Sequence, residues 1–467
     1  MNALVVFRES RRAAWRQAAG RAVWIGLLCI SVAGCRATGA TVDQARGAFA
    51  TGQLDTAASM LSELAEGPRT TRAECELDLA VVELARGDVT SAESRLRTLR
   101  DHFDALPQTV SVGDAVAVAT DDNAREFHLS GYEQVMLRTL LALCSLAGDQ
   151  TDAEAYCLQA QQRQSELARQ AQERQIDPEA YGQIALAHYL RGTLREATHQ
   201  NYDDAERAFR LVSTIQPSFA PVGQDIARAA NGAHSEPGHG VVYVIACVGH
   251  GPRLVETVAE TTTASMQIAS MMLRAHENHE QGDDDELVLP NIASVKVPAV
   301  QVPPSRLAVI GVSSGSEPLG VTQTLTDLGQ LACRQVEAEM PWTIARAVVR
   351  RTLKETSVHA ASNALGLQGS AATVFEFAAS SAWSGTEKAD TRCWGLLPRE
   401  VQVLRAELPA GAQTLQLAPL AGDGRCFAPT IHYPLQIEDG RNHYVLVMAP
   451  EQILSVVPAP VDAPEAL

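Results

Sequence analysis

The sequence predicts a multidomain α+β protein: an α-helical repeat array, then a mixed strand/helix domain ending in a small antiparallel β region. Three observations lead there. Residues 41–230 carry apolar positions at helical spacing, in segments that repeat. Residues 231–240 are rich in Gly, His, Ser and Pro and read as a linker. Beyond them, short apolar runs of strand length alternate with helical segments. The 467 residues are 46% hydrophobic and 20% charged, which suits two or three packed domains. Aromatic residues make up only 5%, so the core must be built mainly from Ala, Leu and Val.

The N-terminus reads as an address. Arg8, Arg11, Arg12, Arg16 and Arg21 stand against one acid, Glu9, and residues 22–34 are almost wholly apolar. A basic stretch followed by a short apolar one is the pattern of a secretory signal peptide, here residues 1–34. It ends Val32-Ala33-Gly34-Cys35, which resembles the lipobox of bacterial lipoproteins. The resemblance implies that Cys35 becomes the mature N-terminus and receives the lipid, giving a membrane anchor in the bacterial cell envelope. Arg36 follows the Cys in place of an Asp, which favours the outer membrane, with the chain facing the periplasm. A plain anchor helix with an incidental Cys is the alternative. Ser10-Arg11-Arg12 is similar to a twin-arginine signal, but Ala13 and Ala14 are poor neighbours for one.

Formal net charge is −17, and loss of the leader removes five Arg and one Glu, leaving the mature chain near −21. Such a chain lacks the cationic surface that phosphates need, so nucleic acid is not an expected partner. Seven Cys remain after Cys29 and Cys35, an odd number with no CxxC pair and no zinc spacing. Neither a disulfide framework nor a metal or cofactor site is expected. Cys144 and Cys157 lie in apolar helical settings where buried thiols are common.

The helical segments align on one small residue. Gly52-Gln53-Leu54 leads to Ala57, Leu61 and Leu64. Gly87-Asp88-Val89 leads to Ala92, Leu96 and Leu99. Gly148-Asp149 leads to Ala153, Cys157 and Ala160, and Tyr202 leads to Ala205, Phe209 and Val212. Each is Ala, +4, +7, one face of a helix. In the first three a Gly can close the turn between antiparallel helices. This resembles the tetratricopeptide repeat, and the first two units stand 35 residues apart. The array offers either a concave surface for protein partners or a wall that packs on the second half. The polar stretch Glu166, Arg169, Gln170, Glu173 and Arg174 reads as a solvated helix face.

In the second half, residues 241–248 read as a strand, Gly249-His250-Gly251-Pro252 as a turn, and 253–257 as a returning partner strand. Residues 261–276 read as a helix and Asp283 to Glu286 as an acidic loop. Strands follow at 294–302 and 307–312. Two helices are expected next, 321–339 and 341–364, with Pro341 opening the second. Residues 365–382 read as a buried helix. An α+β domain thus spans 241–398. Residues 399–450 form a C-terminal β region with strands at 401–408, 414–418, 430–437 and 443–448. The last two flank Asp439-Gly440 as a hairpin. Residues 451–467 read as a disordered tail. The β region is loosely similar to carbohydrate- or surface-associated modules of envelope proteins.

Three stretches resemble an uncharacterised family of bacterial envelope lipoproteins with degenerate tetratricopeptide-type helices. They are Glu126-Phe127-His128-Leu129-Ser130-Gly131-Tyr132-Glu133, the run from Thr386 through Asp390, Arg392 and Cys393 to Trp394, and the Gly249 to Pro252 turn. The resemblance implies an envelope lipoprotein without assigned catalysis. The family more often has Ser where Cys393 stands.

Candidate chemistry is sparse. Gly311-Val312-Ser313-Ser314-Gly315 matches G-x-S-x-G after a strand, which would make Ser313 a hydrolase nucleophile with Asp390 and His432 or His443. His276-Glu277-Asn278-His279 has its His at i and i+3, so the i, i+4 spacing of a zinc protease fails. His239 and His250, at opposite ends of one strand, stand too far apart to share a metal. Arg346, Arg350, Arg351 and Lys354 line one helix side, for anionic lipid or wall polymer, or as a plain wet face. Asp390, Arg392 and Trp394 read as a structural junction: an extended i, i+2 ion pair with Trp anchoring the β region behind it. The leading expectation is a non-enzymatic, lipid-anchored scaffold or adaptor for protein partners in the envelope. A Ser313 hydrolase and a wall-polymer binding module are the alternatives.

Overall fold

The computed structural model describes residues 35–106, 126–181, 183–277, 292–364 and 388–458; the leader, the acidic loop at 283–286 and the segment 365–382 lie outside them. The molecule is α+β, with most helices in its N-terminal half and mixed and antiparallel sheets after them. The helices are α1 (Cys35–Ala50), α2 (Leu54–Ala65), α3 (Arg69–Ala85), α4 (Val89–Ala105), α5 (Gly131–Ala147), α6 (Ala153–Glu173), α7 (Ala185–Glu196), α8 (Tyr202–Ile215) and α9 (Val222–Ala230). Each packs on the next. Ala57, Ala92, Ala153 and Ala205 are fully buried, as are their +4 partners Leu61, Leu96, Cys157 and Phe209. Small residues there let helix axes come close. Gly52 and Gly87 take the left-handed conformation (φ 80° and 81°) that closes the α1–α2 and α3–α4 turns. After α5 that conformation falls on Gln150 (φ 62°), not on Gly148.

The second half contributes β1 (His239–His250), β2 (Arg253–Glu260), α10 (Thr263–Glu277), β3 (Ser294–Gln301), β4 (Leu307–Ser314), β5 (Glu317–Val321) and β6 (Gln323–Asp327). After α11 (Leu328–Ala364) come β7 (Pro398–Pro409), β8 (Gly411–Ala421), β9 (Ile431–Ile437), β10 (Asn442–Ala449) and β11 (Ser455–Val457). One five-stranded sheet runs β11-β10-β1-β7-β6, and a four-stranded sheet runs β5-β4-β8-β9. The strands β2 and β3 form a separate ribbon.

The layers follow from β1. Val241, Tyr243, Ile245 and Cys247 share a core with the helices, while Val242, Val244, Ala246 and Val248 share one with the four-stranded sheet. A strand covered on both faces needs an unbroken apolar run, and β1 has one. The order is therefore helices, five-stranded sheet, four-stranded sheet. A third, smaller core joins α10, the ribbon and α11. In the helical layer, α5 is the most enclosed, with 16 of its 17 residues buried. It touches β10, and α3 touches β11. These contacts set the protein's own sheet against the helical array, the second of the two roles expected for it.

Several expectations need correction. The boundary at 398/399 falls at the start of β7, which pairs with β1, so 241–398 and 399–450 are not separate units. The tail expected from 451 contains β11, paired with β10. The linker residue His234 is buried. The returning strand β2 pairs with β3 rather than β1. Residues 323–327 form β6, where alternating Thr residues outweigh the helical pattern. Pro341 sits inside one continuous helix. Losing one helix bond there is offset by Ile344, Ala345, Val348 and Val349 packing into the third core. Arg350 is buried, at 4% exposure, so that helix side is not a plain wet face. Finally, Asp439-Gly440 does not close a hairpin. The strand β9 pairs with β8 in one sheet, and β10 runs parallel to β1 in the other. All of Tyr444 to Ala449 is buried, a demand that only an interior strand between two covered faces meets.

Candidate functional site

Residues 388–397 form an irregular strap, with a turn at 395–397, that crosses from the ribbon to the start of β7. Buried charges on three helices hold it by its main chain. From α1, Arg46 Nη2 donates to the Cys393 carbonyl at 2.9 Å. From α3, Asp78 Oδ1 accepts the Leu396 N–H at 3.0 Å. From α5, Glu133 Oε1 accepts the Trp394 N–H at 2.8 Å. The residue between them is Gly395, where a Cβ would lie 2.2 Å from Arg46 Nε, so only glycine lets the guanidinium so close.

Arg46 also binds Asp78 Oδ2 at 2.7 Å and Glu74 Oε1 at 2.8 Å. Burial opposes its charge, but the two carboxylates hold its proton affinity well above the ordinary arginine range. Burial pushes Asp78 and Glu74 upward, with Arg46 pulling the other way. Glu133 instead accepts from neutral donors, the Ser130 N–H and hydroxyl and the Trp394 N–H. Burial pushes it up, countered by N–H groups of Trp394 and Ser130 and by the Ser130 hydroxyl. Breaking one partner of such a network strands a buried charge, at a cost of about 3–5 kcal/mol.

The structure places the junction residues in this strap. Arg392 and Asp390 form a two-point ion pair, Nε–Oδ1 2.9 Å and Nη2–Oδ2 2.6 Å. Arg392 Nη1 also donates to the Thr70 carbonyl at 2.6 Å, and its guanidinium lies 5.9 Å from the Phe127 ring centre. Trp394 is 1% exposed. At the strap's entrance Ala389 N–H donates to Glu256 Oε2 of β2 at 2.9 Å, and Lys296 of β3 pairs with that carboxylate.

The three resembling stretches meet here. Glu133 and Phe127 of the first touch Trp394 and Arg392 of the second. In the third, Gly251 lies so close to the strap that a Cβ would be 2.3 Å from the Leu397 carbonyl. Sequence reasoning missed Arg46, Glu74 and Asp78. Their one signal is charge on otherwise buried helical faces, as with Asp78 between Leu77 and Leu79.

Above the strap opens a cleft of about 670 Å³. Its walls are the helical array, the ribbon and α11, and its apolar floor includes Phe103, Phe127, Leu167, Leu254, Val300 and Val336. Polar groups mark the rim. Tyr181 donates its hydroxyl to Glu339 at 2.6 Å, and the Arg174 guanidinium stacks 4.9 Å from the Trp342 ring centre. A larger groove between α3 and α4, about 1120 Å³, is lined mainly by charged and hydroxyl-bearing residues, among them Arg95, which is bound by Glu76 and Glu83.

The other candidates do not assemble. Ser313 lies in β4, opposite Pro318 of β5, and the chain after it turns into a strand, not a helix. It is not the exposed turn residue of a nucleophile elbow. In the sheet row, Gln416 separates Ser313 from His432, and neighbouring strands stand about 4.8 Å apart, so no Ser–His hydrogen bond forms. His443 accepts the Glu438 N–H at 3.0 Å in the other sheet's approach. His239 and His250 sit at opposite ends of β1. No group of three metal-binding side chains and no helix long and apolar enough to span a membrane occurs among the described residues. Set against known proteins, the chain matches no family model and no curated protein.

Proposed function

We propose that the protein is a lipid-anchored envelope scaffold, held to the membrane through Cys35 and facing the periplasm. It binds an extended segment of a protein partner in the cleft beside the strap. The cleft itself carries the reading: about 670 Å³, apolar-floored and polar-rimmed, at the meeting of three elements. An extended peptide is the occupant that fits its setting. The same helical layer already holds one segment without regular structure, the strap, by main-chain hydrogen bonds. Successive helix packing and buried small residues support the tetratricopeptide-type reading, with the helices also packing on the protein's own sheet. Partner binding therefore falls to the cleft rather than to a concave helical surface.

A photo-crosslinking residue placed at Gln170, on the cleft, and at Leu211, on the exposed side of α8, tests this in cells. The reading expects one discrete envelope-protein adduct from Gln170 and none from Leu211. Adducts from Leu211 alone place binding on the outer helices and refute the cleft. Peptidoglycan fragments attached at either position make the wall-polymer alternative the better one.

A further inference from the structure

The β2–β3 ribbon leaves a sheet edge open, and its hydrogen-bond phase shows which groups line that edge. Thr261 N–H donates to the Ala293 carbonyl at 3.1 Å, one step beyond the last pair of the ribbon and in the same register. Bonded and unbonded pairs alternate along an antiparallel ladder, so Ala259, Thr257, Val255 and Arg253 are the residues that bond to β3. Pro298, which has no N–H to give, accordingly falls at an unbonded pair, opposite Glu256. The main-chain groups of Leu254, Glu256, Val258 and Glu260 therefore point away from β3. Leu254 turns its N–H to the Cys393 sulfur of the strap. The main-chain groups of the other three have no partner among the described residues.

The remaining edges of the described sheets are guarded. Pro298 lies in β3, Pro318 in β5 and Pro434 in β9. Strand β11 has three residues and runs into Pro458, and β6 has five with a shift in its register. Proline, shortness and bulges are the devices that keep another strand off an edge. Strand β2 has eight residues and none of these devices. It also carries Val258, at 66% exposure the most exposed large apolar side chain among the described residues.

We infer that the edge of β2 from Glu256 to Glu260 takes an extended segment of a protein partner as an added strand, with an apolar residue opposite Val258 and a basic one opposite Glu260. This surface is separate from the cleft and does not rest on its reading. Main-chain hydrogen bonds supply the attachment, and side chains select the sequence. Glu256, Val258 and Glu260 share one face of the ribbon. Glu256 is held by Lys296 at 2.9 Å and by the Ala389 N–H. Glu260 has no ion pair among the described residues, so its charge is left for an incoming cation. A second copy of this chain fits badly. Antiparallel pairing that uses all three open residues sets each Glu256 opposite the other copy's Glu260, and like charges directly opposite oppose pairing. The net charge of −17 adds to that repulsion and favours a basic partner.

The test uses the full-length protein in detergent micelles, with ¹⁵N-labelled valine, and the capped peptide Lys-Thr-Val-Thr-Lys as the probe. Val258, assigned by its loss in Val258→Pro, should exchange its amide proton much faster than Val255, whose N–H bonds to β3. The peptide should shift and protect the Val258 amide. A peptide with Pro at its centre, or the Val258→Pro protein, should bind about tenfold more weakly, because main-chain hydrogen bonds are lost. Glu260→Lys should weaken binding about fivefold and favour the peptide with Glu in place of Lys. A Val258 amide as protected as that of Val255 before peptide is added overturns the proposal, since another segment of this chain then covers the edge. So does an absence of binding, or binding that leaves Val258 unchanged. Equal affinity in Glu260→Lys overturns the basic partner, and self-association that Val258→Pro abolishes gives the edge to a second copy instead. Should Val258→Pro fail to fold, Val258→Thr supplies the assignment, and the proline peptide and Glu260→Lys decide.

Discussion

Arg46 neutralises two buried carboxylates and grips the strap at once. Removing it as Arg46→Ala leaves Asp78, at 0% exposure, and Glu74 without their cation. We expect a loss of about 3–5 kcal/mol, measured by urea unfolding at neutral pH. Replacing Arg46 and both acids by apolar residues of similar volume should recover much of that loss, since the penalty is the stranded charge. Gly395→Ala attacks the same contact from the strap. Its methyl group must displace the guanidinium, and a loss of about 1–3 kcal/mol is expected in the same assay. At this scale the sequence is half legible. The i, i+2 pairing of Asp390 with Arg392 and the anchoring by Trp394 can be read because both are local. Arg46, some 350 residues from its strap contact, cannot, because nothing in a window of helix tells a charge facing a distant loop from one facing water.

Secondary structure was legible wherever the pattern was local, and misleading where partners are far apart in the chain. The alanine faces of the helices and the double-sided run of β1 announce themselves. The destination of β10 does not: Asp439-Gly440 is good turn chemistry, but burial of both faces of β10 decides its neighbour, and that demand is met only by β1. The motif around Ser313 shows the same limit. G-x-S-x-G is satisfied by letters, while the hairpin β4–β5 gives the Ser a strand conformation with Gln416 across the sheet. Ser313→Ala should leave stability within about 0.5 kcal/mol, and a serine-reactive fluorophosphonate should not label the wild-type residue. Labelling that vanishes in Ser313→Ala would restore the hydrolase.

The helical array and one face of the five-stranded sheet share a continuous core, so the array does not stand apart from the sheet as its place in the chain suggests. The chain order of an array followed by strands suggests independent domains, and the long-range closure that denies it rests on residues 388–397 and on β10. Residues 35–230 made alone expose the apolar faces of α3 and α5 that β10 and β11 cover. This fragment is expected to aggregate or to unfold without a cooperative transition by circular dichroism, whereas the full chain should melt in one step. An independently folded, soluble fragment would show that the inner helical face can stand open and is free for a partner.

The account turns on the strap being a fixed part of the core rather than a removable peptide. Hydrogen exchange of the Trp394 and Leu396 amides, donors to Glu133 and Asp78, reads this directly. If the strap locks the array to the sheet, both amides exchange only through global unfolding, as slowly as those of β1 and with the same dependence on denaturant. If they exchange through local opening while β1 stays protected, the strap leaves its groove in the native protein, and the inner helical face, not the cleft, is where a partner binds.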